Sequence, residues 1–228
     1  MSIKIVTDST AYLDASLQLE LDINVIPLSV HFPDESCRET EVDYDYFYRK
    51  IEREGIIPTS SQPPQGEIEA VFRNYIAQGH AVLAIFISAE MSGTHHSALS
   101  ARATIEAEYP SAQIEIIDSR TNCMAMGFTV MAAAQAAAQG KKLTEIAAVA
   151  RKTMCRTKFY FVPAGLEYLK KGGRIGGAAA LLGSLLQIRP ILFVDQGRTE
   201  LLTKARGTRA ALERILGLLD SDQRTKDI

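Results

Sequence analysis

The feature that most constrains this fold is an alternation between short apolar runs and longer segments with helical periodicity. The runs are typical of buried strands, and the periodic segments place apolar residues three and four apart. The predicted strands span residues 3–7, 23–30, 82–87, 113–117, 158–162, 191–194 and 199–203. The predicted helices between them include residues 44–51, 68–76, 94–108, 122–139 and 144–152. This order predicts an α/β fold whose mostly parallel sheet carries helices on both faces.

The pattern changes near residue 156. A strand, a helix ("AGLEYLKK"), a glycine-rich turn ("GGRIGG") and another helix precede a hairpin that turns at residues 195–198, and a last leucine-rich helix and a polar tail follow. We therefore predict a Rossmann-like α/β domain over residues 1–155, which carries an "SGT" loop, and a second, smaller α/β domain over residues 156–228. Because an isolated hairpin is marginally stable in water, we expect the second domain to be incomplete at its C-terminus.

Composition narrows the function classes. Of the 228 residues, 46% are apolar and 23% are charged, which is typical of a soluble globular protein. A net charge of -2 argues against nucleic-acid binding. The first residues predict a strand rather than a signal peptide, and polar residues interrupt the apolar stretches. The three cysteines form no CxxC pair, so we expect a cytoplasmic protein with reduced thiols, no metal ion and no cofactor.

A loop of small and hydroxyl-bearing residues, "ISAEMSGTHHSA", joins the predicted strand at 82–87 to the helix at 94–108. Ser92 or Thr94 could cap that helix while Gly93 relieves the turn. The same corner could hold a carboxylate or phosphate at the positive end of the helix. A nucleophilic Ser92 is disfavoured, because the elbow motif needs a glycine where Glu90 stands. The cap and the anion site both remain open.

Other polar residues give weaker signals. Asp8 in "TDST" has no second acidic residue close by to hold magnesium, so we predict that it orders the first loop. The adjacent His95 and His96 point in different directions on a helix, which argues against chelation. Gly172 is predicted to end a helix, and Arg174 within "GGRIGG" could contact an anion with both guanidinium nitrogens.

Four stretches together resemble the DegV family of bacterial fatty-acid-binding proteins. In order and spacing these are "KIVTDSTAYL", "PTSSQPPQGE", "ISAEMSGTHHSA" and "LEYLKKGGRIGGAAALLGSLLQIRPIL". The resemblance runs from the first residue to about residue 216, and "TSSQP" combined with "SGT" is its most specific part. The chain departs from the family pattern where Ser60 replaces the usual threonine and where His95 replaces the common tyrosine.

The resemblance implies a two-domain α/β protein that holds a long-chain fatty acid between its domains. The carboxylate would be held by a hydroxyl of Ser60 or Ser61 and by Ser92, and Gly93, Thr94 and Arg174 complete the expected ligand-binding set. In some family members the acid is presented to a kinase that phosphorylates the carboxylate. The implied partners are therefore the fatty acid, a fatty-acid kinase and, transiently, a membrane. The expected role is that of a non-catalytic carrier.

Two alternatives stay open. An enzyme acting on a small phosphorylated or carboxylated metabolite would use Asp8, His95 or His96 as its base. A fragment without a complete pocket would bind nothing. Apolar residues that could line a channel, or could equally form ordinary core, are Ile85, Phe86, Met124, Met126, Phe128, Phe161, Leu166 and Leu169.

Overall fold

The computed structural model describes residues 2–182 and 188–221, and the chain divides into two compact units, Met1–Thr157 and Lys158–Ile228. The strands are β1 (Ile3–Asp8), β2 (Ile23–Ile26), β3 (Ser29–His31), β4 (Ser36–Arg38), β5 (Thr59–Ser61), β6 (Ala81–Phe86), β7 (Ile114–Asp118), β8 (Tyr160–Phe161), β9 (Ile188–Asp195) and β10 (Arg198–Arg206). The α-helices are α1 (Ala15–Glu20), α2 (Tyr44–Glu54), α3 (Gln65–Ala77), α4 (Thr94–Glu108), α5 (Cys123–Ala138), α6 (Leu143–Arg156), α7 (Glu167–Lys171) and α8 (Gly207–Ser221). Short 3-10 helices lie at Ser9–Ala11, Glu39–Glu41 and Gly176–Leu181.

A parallel sheet with the order β2-β1-β6-β7 forms the centre of the first unit. Every residue of β6 is buried, as expected for a parallel strand that is covered on both faces. Side chains alternate along β1, so Ile5 packs with the apolar residues of α5 and α6 while Val6 packs with those of α3 and α4. The predicted α/β fold with helices on both faces is confirmed.

The region between β2 and α3 differs from the prediction. The strand predicted over residues 23–30 is two strands, because Pro27 lacks an N–H group and the chain leaves the parallel sheet after Ile26. Strand β3 joins a separate antiparallel sheet with the order β4-β3-β5. Strand β5 lies in the "TSSQP" stretch, for which no strand was predicted, because its three polar residues have no apolar alternation that could have revealed it.

A buried lysine fixes the turn of this small sheet. Lys50 of α2 is 2% exposed, and its Nζ donates to both carboxylate oxygens of Asp34 at 2.7 Å and to Glu35 Oε1 at 2.9 Å. The same ammonium lies 4.8 Å from the ring centre of Phe32, which adds a cation–π contact. Hydrogen bonds from Lys50 hold the pKa values of Asp34 and Glu35 below their usual range. The β3–β4 turn is therefore attached to α2, which in turn steadies β3 beside β5.

The second unit is an antiparallel sheet with the order β10-β9-β8 and a small apolar core. The predicted hairpin is confirmed, with its turn at Gln196 and Gly197, and β8 adds a third strand to it. On α8, Leu212 and Leu216 are each more than half exposed. The predicted polar tail, residues 220–228, lies almost entirely outside the described residues. No helix within the described ranges is long and apolar enough to cross a membrane.

Candidate functional site

The carboxyl edge of the parallel sheet is where polar loops gather. Strand β1 has β2 on one side and β6 on the other, so the chain reverses its direction of growth beside β1. In open α/β sheets, ligands bind outside the carboxyl ends of the strands at such a point. The loops after β1, β6 and β7 begin at Asp8, Phe86 and Asp118. These loops are therefore the first place to look for a site.

Ser92 and Thr94 form a hydroxyl pair at the start of α4. Ser92 Oγ lies 2.9 Å from Thr94 Oγ1 and accepts from the backbone N–H of Thr94 at 3.3 Å. Thr94 is fully buried and Ser92 is partly exposed. This bond closes a turn just before the helix and is not the predicted cap, because the N-cap residue is Gly93 and no side-chain capping hydrogen bond is present there. The N–H groups of His95 and His96 have no partner inside the helix, as in any first helical turn, and they can donate to an anion.

Gly93 leaves space for the side chain of Gln62, and its backbone angles do not call for a glycine. Its φ of -74° is open to any residue, so the expectation that it relieves the turn is wrong. A Cβ at this position would lie 1.9 Å from Oε1 of Gln62, and Gln62 Nε2 donates to Ser97 Oγ. Gln62 therefore rests on the start of α4 and brings the "TSSQP" and "SGT" segments together. No local pattern singles out Gln62, because its role depends on this tertiary contact.

Ser60 and Ser61 point to opposite faces of the small antiparallel sheet. Ser60 pairs with Val30 and Ser61 pairs with Ser29, and neighbouring residues of a strand alternate between faces. Ser61 Oγ lies 2.8 Å from Nε2 of His31, whose Nδ1 lies 2.8 Å from Ser36 Oγ. The two serines are both exposed, but they cannot serve one ligand from the same face.

Asp8 fastens β1 to β6 at this edge. It is fully buried, and Oδ1 accepts from the backbone N–H of Thr10 at 2.9 Å while Oδ2 accepts from that of Ile87 at 2.8 Å. Thr10 adds its hydroxyl hydrogen bond to Oδ1. Burial outweighs these donors and raises the pKa of Asp8 to about 6. As predicted, Asp8 orders the first loop.

The two histidines are not a chelating pair. Their ring centres are 5.8 Å apart with an interplanar angle of 86°, and His96 is exposed. Burial lowers the pKa of His95, and the opposing effect of Asp118 is smaller. Within the described part of the chain, His95 Nδ1 is buried and has no hydrogen-bond partner, and no group of three or more His, Cys, Asp or Glu residues could hold a metal ion.

The last polar candidate for the ligand-binding set is Arg174. Arg174 lies in the second unit, where its Nη1 donates to the carbonyl of Gly172 at 2.6 Å, and Gly172 closes α7 as predicted. Its contact with an anion stays a prediction.

Among the apolar candidates, those exposed by 1% or less are Ile85, Phe86, Met126 and Leu166. Met124 and Phe128 are 36% and 51% exposed and lie four residues apart on the first turns of α5.

Comparisons of the sequence with known proteins find the same family along nearly the whole chain. The profile of a family described as "Uncharacterised protein, DegV family" matches residues 2–228. A DegV domain-containing protein of Clostridium acetobutylicum is 44% identical over 216 residues, which cover 95% of this chain and 75% of that protein.

Solved structures resemble the fold equally well. A DegV family protein from Thermus thermophilus, whose structure is described as showing fatty acid binding, matches with a TM-score of 0.88 and 35% identity over 97% of this chain and 78% of its own. A stearic acid-binding protein from Eubacterium ventriosum matches with a TM-score of 0.88 and 26% identity over the same shares of the two chains. The likeness therefore includes both units.

Replacing Asp8 by asparagine should remove a pH-dependent loss of stability. The pKa of Asp8 is raised from 3.8 to about 6 on folding, so the native state favours the protonated acid. Its contribution to the free energy of unfolding is fully present below about pH 4 and falls by on the order of 3 kcal/mol as the pH rises through 6. Urea unfolding at both ends of this range should show the fall in the wild type and in the exposed control Asp45→Asn, but not in Asp8→Asn. An equal fall in all three proteins would contradict the assignment.

Replacing Gly93 by alanine should displace the carboxamide of Gln62 and break its hydrogen bond to Ser97. We expect the free energy of unfolding to fall by about 1 kcal/mol. The matched control is Gly66→Ala on α3, where an added Cβ meets nothing within 4 Å, and where helix propensity favours alanine by up to about 1 kcal/mol. Ser97→Ala should cost less in the Gly93→Ala background than in the wild type. If the two glycine variants respond alike in urea unfolding, Gln62 does not rest on Gly93.

Proposed function

This chain belongs to the DegV family, and we propose that it binds a long-chain fatty acid as a non-catalytic carrier. The observation that carries the proposal is the hydroxyl-bearing start of α4, which Gln62 holds against the "TSSQP" segment. Relatives in the family are described as binding fatty acids, among them stearic acid.

The start of α4 has the chemistry that a carboxylate needs. A helix N-terminus presents free N–H groups and a partial positive charge, and Ser92 adds a hydroxyl donor. A hydrogen bond to a charged group contributes about 1.5–3 kcal/mol net. Ser92 can turn its proton from Thr94 Oγ1 to an incoming carboxylate, since the two hydroxyls already lie 2.9 Å apart. We therefore assign the head group to this corner.

Ser60 is the better candidate for the second hydroxyl. Gln62 precedes Pro63, which restricts it to extended backbone, so the alternation of β5 continues and places Ser60 and Gln62 on the same side. Gln62 reaches Gly93 and Ser97, whereas Ser61 is bonded to His31 on the opposite face. This supports Ser60, and not Ser61, as the partner of Ser92.

The hydrocarbon chain supplies most of the binding energy. Each buried methylene contributes about 0.8 kcal/mol, so a long chain gains about 10 kcal/mol before the costs of binding. Met124 and Phe128 offer an exposed apolar surface on α5, and residues four apart lie on one face of a helix. We propose that this surface contacts the chain of the fatty acid.

The alternative enzyme has less support. Both oxygens of Asp8 already accept hydrogen bonds, one within the first loop and one from the end of β6, which suits a structural group better than a catalytic base. Among the described residues, no such hydrogen bonds orient the ring of His95 or His96 as they would that of a catalytic base.

The carrier role extends to a partner that the resemblance implies, a kinase that phosphorylates the carboxylate. The exposure of Ser60 and the partial exposure of Ser92 support a head group within reach of such a partner, or of a membrane during loading.

Mass spectrometry of the denatured protein should find a co-purifying long-chain acid, and Ser92→Ala should reduce its retention. We expect the dissociation constant for stearate, measured by calorimetry on delipidated protein, to rise about tenfold. The matched control is Ser100→Ala on the same helix, whose exposed hydroxyl donates only to the carbonyl of His96. A polar metabolite in place of a fatty acid would favour the enzyme instead.

Ser60→Ala and Ser61→Ala should differ. The first should weaken stearate binding by about tenfold through loss of a charge-assisted hydrogen bond, and the second should leave it unchanged. The reverse outcome in the same calorimetric titration would place the carboxylate on the face of His31.

A further inference from the structure

A cavity of about 360 Å³ opens on the other side of the first loop, between that loop, α1, the end of β2 and the segment that begins α2. Its lining includes Asp8, Tyr12, Asp14, Glu39 and Tyr44, and it includes none of the residues assigned to the carboxylate of the fatty acid. The volume is at the lower end of the range for small-molecule sites. The cavity is therefore a second candidate site with a chemistry of its own.

The charge of this cavity is negative and uncompensated. Three carboxyl groups line it, and among the described residues no Lys, Arg or His does so. Glu39 accepts a hydrogen bond from Ser9, and Asp14 makes no side-chain hydrogen bond or ion pair within the described ranges. Burial and, secondarily, Glu39 raise the pKa values of Tyr12 and Cys123 to about 12 and about 11. An anion would be repelled from this cavity.

Two tyrosines that are more than half exposed line the cavity. Tyr12 and Tyr44 are 56% and 54% exposed. Tyr12 has left-handed backbone angles, with φ 56° and ψ 39°, and its N–H donates to the carbonyl of Ser9 at 3.1 Å. A left-handed conformation is costly for a residue with a Cβ, and such strain is concentrated at functional positions.

These features select one class of ligand. A hydrocarbon chain would strip water from carboxylates that have no cationic partner, which is unfavourable. A metal ion needs a tight group of ligands, and the described residues contain no such group of three or more His, Cys, Asp or Glu. An organic ammonium ion spreads its charge over a larger volume and is attracted both by carboxylates and by the faces of aromatic rings.

We propose that the cavity bounded by Tyr12, Tyr44, Asp14 and Glu39 binds a small organic ammonium ion. None of its lining residues is assigned to the fatty acid head group, so its occupancy does not depend on the carrier function. Asp8 is the fully buried carboxyl group of the lining, and the two tyrosines are its exposed aromatic residues.

Calorimetric titration of the whole chain with choline, and separately with putrescine, tests the proposal. At least one of the two should give saturable heat that sodium chloride at the same ionic strength does not give. Glu39→Gln and Tyr44→Leu should each weaken that binding by about tenfold. The matched controls are Glu41→Gln, an exposed carboxylate two residues further on, and Tyr168→Leu, an exposed tyrosine of the second unit; both should bind like the wild type.

Asp14→Asn tests the same cavity with little risk of misfolding, because the exposed side chain of Asp14 has no hydrogen bond or ion pair to lose within the described residues. This variant should also weaken binding. The proposal is overturned if neither ammonium ion gives heat beyond that of sodium chloride, or if Asp14→Asn, Glu39→Gln and Tyr44→Leu all bind like the controls. Displacement of choline by stearate would assign the cavity to the acyl chain and would equally overturn it. Stearate binding measured on the same samples reports the carrier function separately.

Discussion

The buried carboxylate of Asp8 holds together the part of the molecule on which the candidate sites depend. Parallel strands end at one edge of a sheet, and their loops are free to diverge unless something ties them. Asp8 ties the ends of β1 and β6 through the N–H groups of Thr10 and Ile87, and Asp118 accepts from Ala89 at 3.2 Å between β6 and β7. The burial of Asp8 is costly to the charged form, as its raised pKa indicates. This desolvation is partly offset by the hydrogen bonds that hold the loops at the carboxyl edge of the parallel sheet in place.

A second constraint connects this edge to the small antiparallel sheet. Lys50 attaches the β3–β4 turn to α2, β3 pairs with β5, and Gln62 reaches from the end of β5 to the start of α4. Each link is a specific contact between segments far apart in the chain. Together they bring Ser60 and Ser92 into one region even though thirty-one residues separate them, and they explain why a side chain at position 93 would displace that of Gln62.

The edge of the sheet offers two different electrostatic environments on the two sides of the first loop. On the β6 side, a helix start and a hydroxyl pair favour a carboxylate. On the β2 side, carboxyl groups and tyrosines favour a cation. The first loop separates the two, with Asp8 fixed to β6 and Tyr12 held in a left-handed conformation. A fold of this class can thus carry neighbouring sites of opposite preference on one sheet edge.

Elements with strong periodicity or long apolar runs could be predicted from the amino-acid sequence. The buried strand β6, the helix that begins at Thr94, the hairpin around Gly197 and the α/β class were all predictable, since each leaves a local pattern of apolar residues or turn residues. The motifs around Ser60 and Ser92 pointed to the region of the candidate site. The short polar strand β5, the contact of Gln62 with Gly93 and the opposite facing of Ser60 and Ser61 emerged only from the tertiary structure. The reason is physical: a three-residue strand and a side chain that fills the space above a glycine are stabilised by partners distant in sequence, so no local pattern records them.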